Sequence, residues 1–512
     1  MLLRRTLVAA LSGVVAFAPG PMAVLRRPAT ASIVGTAQCA RGRSDSGVVM
    51  ASARRSGRRK KQSGPKPPRR GLQRTADGVP EIAKCFPDQY AQQLAAKVAR
   101  LEHLLSDAVG GDDALPAMEV FESEPTNFRM RANFAMWREG VEVLYVMFNS
   151  DETTEGRGPP VEVRSFPMGS ALINKLMQPV RSAIESTPLL GEKINSVNFL
   201  TTTTNQALIT MTYNRPINET WLEAATTLQA QLAPLVGPQG GADCTDGGDS
   251  GDGVLRLVGR SRKRKLVVGG ETLREELHVE GRGRCVYTQT EGAFTQPNAA
   301  MCEKMLAWAY DATQGSGEHD LCELYCGNGC FTVALAPNFR RVVATEMSKA
   351  SVELARSNLA ANQISNARVA RLTAQEFAEA YAGARSFTRL REAGIALEGG
   401  WRLPLGVVTA KQDDTESDAL AASGGDSIEP MVFDRLHTLF VDPPRAGMDA
   451  TCRKLALAFQ RVVYISCNPE TLARDLAELS MTHRAVRIAA FDQFPFTPHL
   501  EAGVLLERRS EG

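Results

Sequence analysis

A cysteine and an aspartate each follow an apolar segment in the C-terminal half of the sequence. Cys467 comes after residues 461–465, within Ser-Cys-Asn-Pro-Glu-Thr, and Asp442 comes after residues 438–441, within Asp-Pro-Pro-Arg. The two prolines hold the chain extended and leave the carboxylate of Asp442 free to face a ligand. A lone cysteine is often only a small buried residue, but loops on rigid scaffolds carry function disproportionately. We therefore predict that Cys467 acts as a nucleophile.

A glycine-rich turn indicates a nucleoside ligand. The sequence Glu-Leu-Tyr-Cys-Gly-Asn-Gly ends an apolar segment, and Gly327 and Gly329 let the backbone turn sharply against a ligand. Glu346 ends the next apolar segment, where a carboxylate can accept both hydroxyls of a ribose. Thr332 stands in place of the third glycine of the dinucleotide fingerprint. The pattern therefore favours S-adenosylmethionine, which has no pyrophosphate, over a dinucleotide.

The segments that carry these residues alternate in the order strand, turn, helix. Strands are predicted at 321–325, 342–345, 367–372, 438–441 and 461–465, with helical patterns between them. This rhythm predicts an open, parallel α/β sheet whose ligands bind at the carboxyl ends of its strands. The predicted fold class is α/β, with a Rossmann-like methyltransferase domain at 281–512 that carries an insertion at about 399–430.

Residues 85–280 are predicted to form an N-terminal domain of mixed α+β structure. Helical patterns occupy 89–109, 170–184 and a segment from an Asn218 cap to residue 235, and hairpins are predicted at 131–148 and 196–213. The Gly- and Asp-rich stretch 237–253 is predicted to be a flexible insertion.

Six basic residues lie among the ten positions from Arg256 to Lys265. Such a run is either a solvated hairpin face or a surface for RNA phosphates. In the second case Arg129 and Arg131 are candidates to extend it.

Composition excludes several classes of protein. The chain has 512 residues, of which 43% are hydrophobic and 23% charged, unlike a collagen-like or polytopic membrane protein. We therefore expect no stable membrane association. The ten cysteines are scattered and form no disulfide framework, which fits a reducing compartment. Cys322, Cys326 and Cys330 are spaced four apart, unlike zinc or iron–sulfur ligands, so we predict neither a metal nor a cluster.

Residues 1–75 are predicted to be a targeting presequence and disordered basic arm. Fifteen Lys and Arg against one acid, Asp45, give residues 1–70 a net charge of +14, and the remaining 44 basic and 56 acidic residues give −12. A twelve-residue apolar run at 7–18 suits a signal-peptide core and ends in Ala-Phe-Ala-Pro. The arrangement resembles the bipartite plastid address of algae with secondary plastids. A mitochondrial presequence is the alternative.

Several segments together resemble the bacterial-type tRNA (uracil-5-)-methyltransferases, of the RNA 5-methyluridine methyltransferase family. The resemblance covers nearly the whole body apart from the presequence and the two insertions. The segments are FTQPNAAM (294–301), ELYCGNG (323–329), ATE (344–346), FVDPPRAG (440–447), YISCNPETL (464–472) and FDQFP…HLEAGVLL (491–506), with 90–102, 128–137 and 196–207 upstream.

The resemblance implies that the protein transfers a methyl group from S-adenosylmethionine to carbon 5 of the T-loop uridine of tRNA, and that its N-terminal domain at 85–280 binds the RNA. A thiolate adds at carbon 6 to give an enolate that takes the methyl group, and a base then removes the carbon-5 proton. Cys467 matches the family's nucleophile and Glu501 its base. The residues that match the cofactor-binding positions are Gln296, Tyr325, Glu346 and Asp442. Cys330 departs from the family, because the bacterial tRNA enzymes have Asn there.

Three alternatives stay open. Methyltransferases that act on uracil in rRNA usually add an RNA-binding barrel and a four-cysteine iron–sulfur site, and neither is evident here. A catalytically silent tRNA-folding factor of the same fold is disfavoured by the retained Cys467 and Glu501. A nicotinamide dehydrogenase is disfavoured by the missing third glycine and by the Pro-Pro after Asp442. We expect a monomer that binds the T-arm of tRNA.

Overall fold

The computed structural model describes residues 71–109, 115–150, 157–237, 254–398 and 429–510. Residues 1–70 of the presequence and basic arm predicted at 1–75 lie outside these ranges, as do nearly all residues of the two predicted insertions. Residues 71–75, which the sequence assigned to the basic arm, pack on the body. Gln73 forms a β-bridge with Val161, and Arg74 pairs with the buried carboxylate of Glu162 at 3.3 Å.

The described ranges contain nineteen strands and eleven α-helices. The strands are β1 (Met118–Phe121), β2 (Arg131–Glu139), β3 (Glu142–Ser150), β4 (Arg157–Glu162), β5 (Ile194–Thr201), β6 (Ala207–Tyr213), β7 (Leu255–Ser261), β8 (Arg264–Val268), β9 (Thr272–Val279), β10 (Gly283–Thr290), β11 (Asp320–Leu324), β12 (Arg341–Thr345), β13 (Ala367–Ala370), β14 (Ile395–Leu397), β15 (Met431–Phe433), β16 (Leu436–Val441), β17 (Arg461–Ser466), β18 (His483–Phe491) and β19 (Glu501–Arg508). The helices are α1 (Tyr90–Val109), α2 (Ala171–Ser186), α3 (Pro188–Gly191), α4 (Glu219–Leu232), α5 (Ala299–Ala312), α6 (Cys330–Leu335), α7 (Lys349–Ala361), α8 (Ala374–Tyr381), α9 (Thr388–Glu392), α10 (Ala450–Ala456) and α11 (Pro469–Leu479). None of the described helices is long and apolar enough to cross a membrane.

An eight-stranded sheet forms the C-terminal half, in the order β1-β18-β19-β17-β16-β11-β12-β13. The five strands predicted from the sequence are β11, β12, β13, β16 and β17, and they run parallel, whereas β19 runs antiparallel between β17 and β18. The predicted α/β class with a Rossmann-like sheet is confirmed. The order reverses between β11 and β16, and such a switch point opens a crevice beside the strand ends.

Helices cover both faces of this sheet, so its strands are apolar on both sides. In β11, Leu321 packs with α5, α6 and α7, whereas Cys322 and Leu324 pack with α1, α8, α10 and α11. Burial on both faces explains the continuous apolar runs that marked these strands in the sequence.

A second sheet, in the order β4-β3-β2-β5-β6-β7-β8, forms the N-terminal α+β part. Helices α2 and α4 pack on one face of it. Both begin at the predicted positions, because Ser170 accepts from the amide of Ile173 and Asn218 from that of Trp221.

The positions of some elements differ from the domain bounds that the sequence analysis predicted. Helix α1 packs against α11, and β1 pairs in parallel with β18, so both elements belong with the C-terminal sheet and its helices. The antiparallel pair β9–β10, which the sequence analysis missed, spans the proposed domain boundary at residue 280.

Candidate active site

The predicted site residues converge because their strands end at one edge of the C-terminal sheet. Four parallel strands are each followed by one of them, and Glu501 opens β19 at the same edge. The residues and their strands are Tyr325 after β11, Glu346 after β12, Asp442 after β16 and Cys467 after β17. Ser466 of β17 pairs with Ala502 of β19, so Cys467 and Glu501 occupy the next positions along this antiparallel ladder.

A cavity of about 1100 Å³ opens at this edge. Its walls include all six residues that the sequence analysis singled out: Gln296, Tyr325, Glu346, Asp442, Cys467 and Glu501.

The turn after β11 forms one wall of the cavity. Gly327 and Gly329 have φ of +56° and +78°, which side chains disfavour, and a Cβ atom on Gly329 would lie 3.2 Å from the Cβ of Ala355 in α7. The amides of Gly327 and Ser348 donate to the two carboxylate oxygens of Glu346 at 3.2 and 2.7 Å. The carboxylate is therefore fixed in place, with lone pairs left for a ligand.

Tyr325 adopts a left-handed backbone conformation, with φ of +63°, directly before this turn. Such a conformation is costly for a bulky residue and clusters at functional sites. Its hydroxyl lies 3.2 Å from the sulfur of Cys452, and burial raises the pKa of the phenol, which stays neutral.

Gln296 is oriented by a neighbouring amide. The Nε2 of Gln493, which is fully buried, donates to Oε1 of Gln296 at 2.7 Å. The Nε2 of Gln296 is consequently the end of its amide left to meet a ligand, and it is a donor. Gln493 belongs to the Phe-Asp-Gln-Phe-Pro segment, whose individual roles the sequence analysis left unassigned.

Burial controls the ionisation of the residues near β17. It raises the pKa of Glu501 to about 8, helped by the negative charge of Asp442 and opposed by Arg445. Burial also raises the pKa of Asp442 to about 7. The pKa of Cys467 is raised to about 11, by burial and then by the charges of Glu501 and Asp442, while Arg445 lowers it.

Comparisons with known proteins agree with this geometry. The family described as tRNA (uracil-5-)-methyltransferase matches residues 89–400 and 429–509. A tRNA/tmRNA (uracil-C(5))-methyltransferase of Vibrio cholerae is 42% identical over 423 residues, which is 83% of this chain and 98% of the relative. The relative of the same name in Acinetobacter baylyi is 40% identical, over 82% of this chain and 98% of its own length.

The chain belongs to the tRNA (uracil-5-)-methyltransferase family. The predicted resemblance is thereby confirmed, and the chain is an enzyme of a methyltransferase family. A crystal structure of Pyrococcus abyssi tRNA (uracil-54, C5)-methyltransferase with S-adenosyl-L-homocysteine has the same fold, with a TM-score of 0.52 and 18% identity. The match between the two structures covers 81% of this chain and 83% of the Pyrococcus abyssi chain.

The structure places further acidic residues on the cavity wall, which the sequence analysis did not predict as site residues. Glu323, within β11, is buried, and burial raises its pKa to about 8. Glu275, within β9, is also buried, and its pKa is raised to about 7. The acids that line the cavity are Glu275, Glu323, Glu346, Asp442, Asp449 and Glu501, against three basic residues, Arg129, Arg131 and Arg445. The spacing of Leu273, Leu277 and Val279 predicts a strand with Glu275 on its apolar face, and this pattern in the sequence could have found Glu275.

Three buried side-chain oxygens on the cavity wall form no hydrogen bond within the described residues. They are Oε2 of Glu323, Oε1 of Gln289 and the hydroxyl oxygen of Thr345. Gln289 is 7% exposed, and its Nε2 donates to Glu275 at 2.9 Å, which leaves its oxygen as the unpaired end. Buried acceptors are normally satisfied, so their ligand is expected to bring donors.

Cations and aromatic rings also line the cavity. Arg129 stacks over the ring of Phe494 at 6.0 Å, and Phe294, on the same wall, is 73% exposed. Arg131 donates to the carbonyl of Ala293 at 3.1 Å.

The basic run at 256–265 forms the hairpin β7–β8, and much of its charge is paired. Arg260 pairs with Glu291, Arg264 with Glu219, and Lys265 with Glu271. Arg262 and Lys263, at the turn, are exposed and have no acidic partner in the described part of the chain.

The three closely spaced cysteines do not form a cluster. Cys322 and Cys326 are buried in the two different core layers, and Cys330 reaches the cavity. No three His, Cys, Asp or Glu side chains form a metal-binding group within the ranges the structure describes. That the protein works without a metal stays a prediction.

Proposed function

We propose that this enzyme transfers a methyl group from S-adenosylmethionine to carbon 5 of the T-loop uridine of tRNA, giving 5-methyluridine. The observation that carries the proposal is the placement of Cys467 and Glu501 on neighbouring strands, in the cavity that also holds Glu346. Relatives that are 40–42% identical over nearly their whole length bear names that include tRNA as the substrate, which supports tRNA over rRNA.

The cavity fits S-adenosylmethionine, whose sulfonium methyl group supplies the carbon that is transferred. Glu346 would accept the ribose hydroxyls, and Gln296, Tyr325 and Asp442 would hold the remainder. Six acids against three basic residues suit a cationic ligand. The unpaired oxygens of Glu323 and Gln289 suit one that brings ammonium and hydroxyl donors.

Cys467 would add to carbon 6 of the uracil and Glu501 would take the proton from carbon 5. The thiol is protonated in the free protein, because its pKa is about 11. Releasing that proton to water at pH 7 costs about 5 kcal/mol and leaves Glu501 free to take the carbon-5 proton later. Arg445 lowers the pKa of both groups, so it assists ionisation at this end of the cavity.

The target uridine must leave its stack to reach Cys467. Phe294 and Phe494 offer aromatic faces for the extruded base, while Arg129 and Arg131 offer positive charge for the phosphates beside it. This part of the cavity wall would thus bind the T-arm of tRNA. We also propose that the protein acts as a monomer.

A 5-fluorouridine-containing tRNA tests the mechanism. Fluorine at carbon 5 cannot be removed as a proton, so the wild-type protein with S-adenosylmethionine should accumulate a covalent RNA adduct on denaturing gels. Cys467→Ala should form none and should produce no 5-methyluridine. Cys85→Ala is the matched control, because Cys85 is half-buried but lies outside the cavity wall. An adduct with Cys467→Ala would show that another residue is the nucleophile.

We further propose that residues 1–70 direct the protein to the plastid, with the mitochondrion as the alternative. Their excess of 15 basic residues over one acid and the apolar run at 7–18 support an organellar address. Mass spectrometry of tRNA and rRNA from each organelle, after loss of this protein, tests substrate and location together. Loss of 5-methyluridine from plastid tRNA is expected, and its loss from rRNA alone would favour the rRNA alternative.

A further inference from the structure

Two cysteines meet on the wall of the cofactor cavity. Cys302 lies in the first turn of α5, and Cys330 is the first residue of α6, directly after the Gly-Asn-Gly turn. Their sulfur atoms are 3.7 Å apart, and both residues line the cavity. The contact joins two segments that are separated by 28 residues and that both carry cofactor-wall residues.

The two thiols differ in access. Cys302 is 2% exposed, whereas Cys330 is half-buried. The hydroxyl of Tyr287 donates to the carbonyl of Cys330 at 2.9 Å and holds its backbone in place. A third cysteine, Cys285, is buried nearby in β10, where its sulfur contacts the carbonyl of Gly283 at 4.0 Å. Of these three cysteines, Cys330 is therefore the one that an oxidant in the cavity meets first.

We propose that Cys302 and Cys330 are a redox dithiol, oxidised to an intramolecular disulfide by a small disulfide of the glutathione class, and that the disulfide weakens cofactor binding. A disulfide requires sulfur atoms about 2.05 Å apart, so the pair must close by about 1.65 Å. Side-chain rotation of two residues at helix starts supplies movement on that scale.

The exchange proceeds in two balanced steps. The thiolate of Cys330 attacks the small disulfide, forms a mixed disulfide and releases one small thiol. Cys302 then attacks the Cys330 sulfur and gives its proton to the departing small thiolate, which leaves as the second small thiol. Two protein thiols are oxidised and one disulfide is reduced to two thiols. The hydrogen bond with Cys330 and burial keep the pKa of Cys302 well above its usual range, which makes Cys302 the resolving partner.

The consequence for cofactor binding follows from where Cys330 lies. Its sulfur moves toward α5, and the bond ties the Gly-Asn-Gly turn to the segment that follows Gln296. The disulfide then fixes the distance between the Gly-Asn-Gly turn and the start of α5. The turn consequently can no longer close on the ligand. This step rests on the proposed function, because it takes the cavity to be the cofactor site.

The test uses the full chain carrying Cys467→Ser, so that the catalytic thiol cannot react. The protein is incubated with oxidised glutathione, mapped by peptide mass spectrometry and titrated with S-adenosylhomocysteine. We expect a cross-link between the peptides of Cys302 and Cys330, without bound glutathione, and at least tenfold weaker binding that dithiothreitol reverses. Adding Cys302→Ser should prevent the cross-link and leave glutathione on Cys330. Adding Cys285→Ser, the matched control, should leave the cross-link unchanged.

The contrary outcomes are distinct. A Cys330 that stays reduced, that retains glutathione while Cys302 is intact, or that pairs with Cys285 would overturn the dithiol. A complete cross-link with unchanged binding of S-adenosylhomocysteine would overturn its effect on the cofactor. If the reduced protein binds no S-adenosylhomocysteine, the proposed function fails instead, and the cross-link still decides whether the dithiol exists.

Discussion

Replacing Glu501 by Gln should stabilise the protein at alkaline pH while it disables product release. Glu501 is 5% exposed, and burial raises its pKa from 4.5 to about 8. The folded state therefore holds the carboxyl protonated over a pH range in which the unfolded chain releases the proton. Because the folded pKa is the higher one, stability is lost as pH rises from about 4.5 to about 8.

The size of the effect follows from the two pKa values. A tenfold change in proton affinity is worth about 1.4 kcal/mol, so the full difference corresponds to about 5 kcal/mol above pH 8. The same linkage gives under about 1 kcal/mol at pH 5 and about 3 kcal/mol at pH 7. Glutamine has nearly the shape of glutamate and never ionises, so Glu501→Gln should recover these amounts as upper limits.

Urea unfolding of both proteins at pH 5, 7 and 9 measures the difference directly. Glu507→Gln is the matched control on the same strand, because Glu507 is 39% exposed and lies near Arg461 and Arg484. The gain from Glu501→Gln should grow with pH, and the control should show no such growth. An equal free-energy difference at pH 5 and pH 9 would refute a buried carboxyl with a raised pKa.

The same variant tests the chemical role of Glu501. Without the carboxylate, carbon 6 can still be attacked and the methyl group accepted, but the carbon-5 proton stays and the thiolate cannot leave. A protein–RNA adduct should accumulate with ordinary tRNA. Turnover at the wild-type rate would place the base elsewhere.

Two further variants test the cavity wall and the basic hairpin on the surface. Gln493→Leu should weaken S-adenosylhomocysteine binding about tenfold, measured by titration calorimetry, because Gln296 loses a hydrogen bond worth about 1.4 kcal/mol. Arg262→Ala with Lys263→Ala should lower tRNA affinity and reduce the slope of log K against log salt by about 1.5, since two phosphate contacts are lost.

Each of these two variants has a control and an outcome that would contradict the prediction. Gln493→Leu should not lower the melting temperature, because it also removes an oxygen that lacks a donor within the described ranges. Unchanged binding would mean that Gln296 does not need this orientation. Arg264→Ala with Lys265→Ala should change the salt slope less, since those cations already pair with Glu219 and Glu271. Equal slopes of log K against log salt in both double variants would show that the hairpin is a solvated face that does not contact phosphates.

The sequence predicted the methyltransferase sheet well because local and global signals agree there. Strands buried on both faces are continuous apolar runs, and a turn residue or a helix cap follows each of them. Asn298, for example, caps α5 by accepting from the amide of Met301 at 3.1 Å. The carboxyl ends of parallel strands share an edge, so the convergence of Glu346, Asp442 and Cys467 follows from topology alone.

The missed elements depend on contacts between distant residues. Strand β1 is only four residues long, and its place is set by pairing with β18 and by Glu119, which accepts from Arg487 some 368 positions away. No local pattern encodes such a partner. The proximity of Cys302 to Cys330 was hidden for the same reason, because it depends on how α5 packs beside α6.

The charged residues of the cavity differ in burial, and this difference suits two ligands of opposite charge. The buried acids Glu275, Glu323 and Glu501 are kept near neutrality by their raised pKa values. An incoming cation would favour their ionised forms and strengthen their hold on it. Arg129 and Arg131 line the same cavity but are partly exposed, so an RNA phosphate could reach them. A single cavity can thus attract a cationic cofactor through its buried acids and a polyanion through its partly exposed arginines, while burial spares the folded protein the full repulsion of its acids.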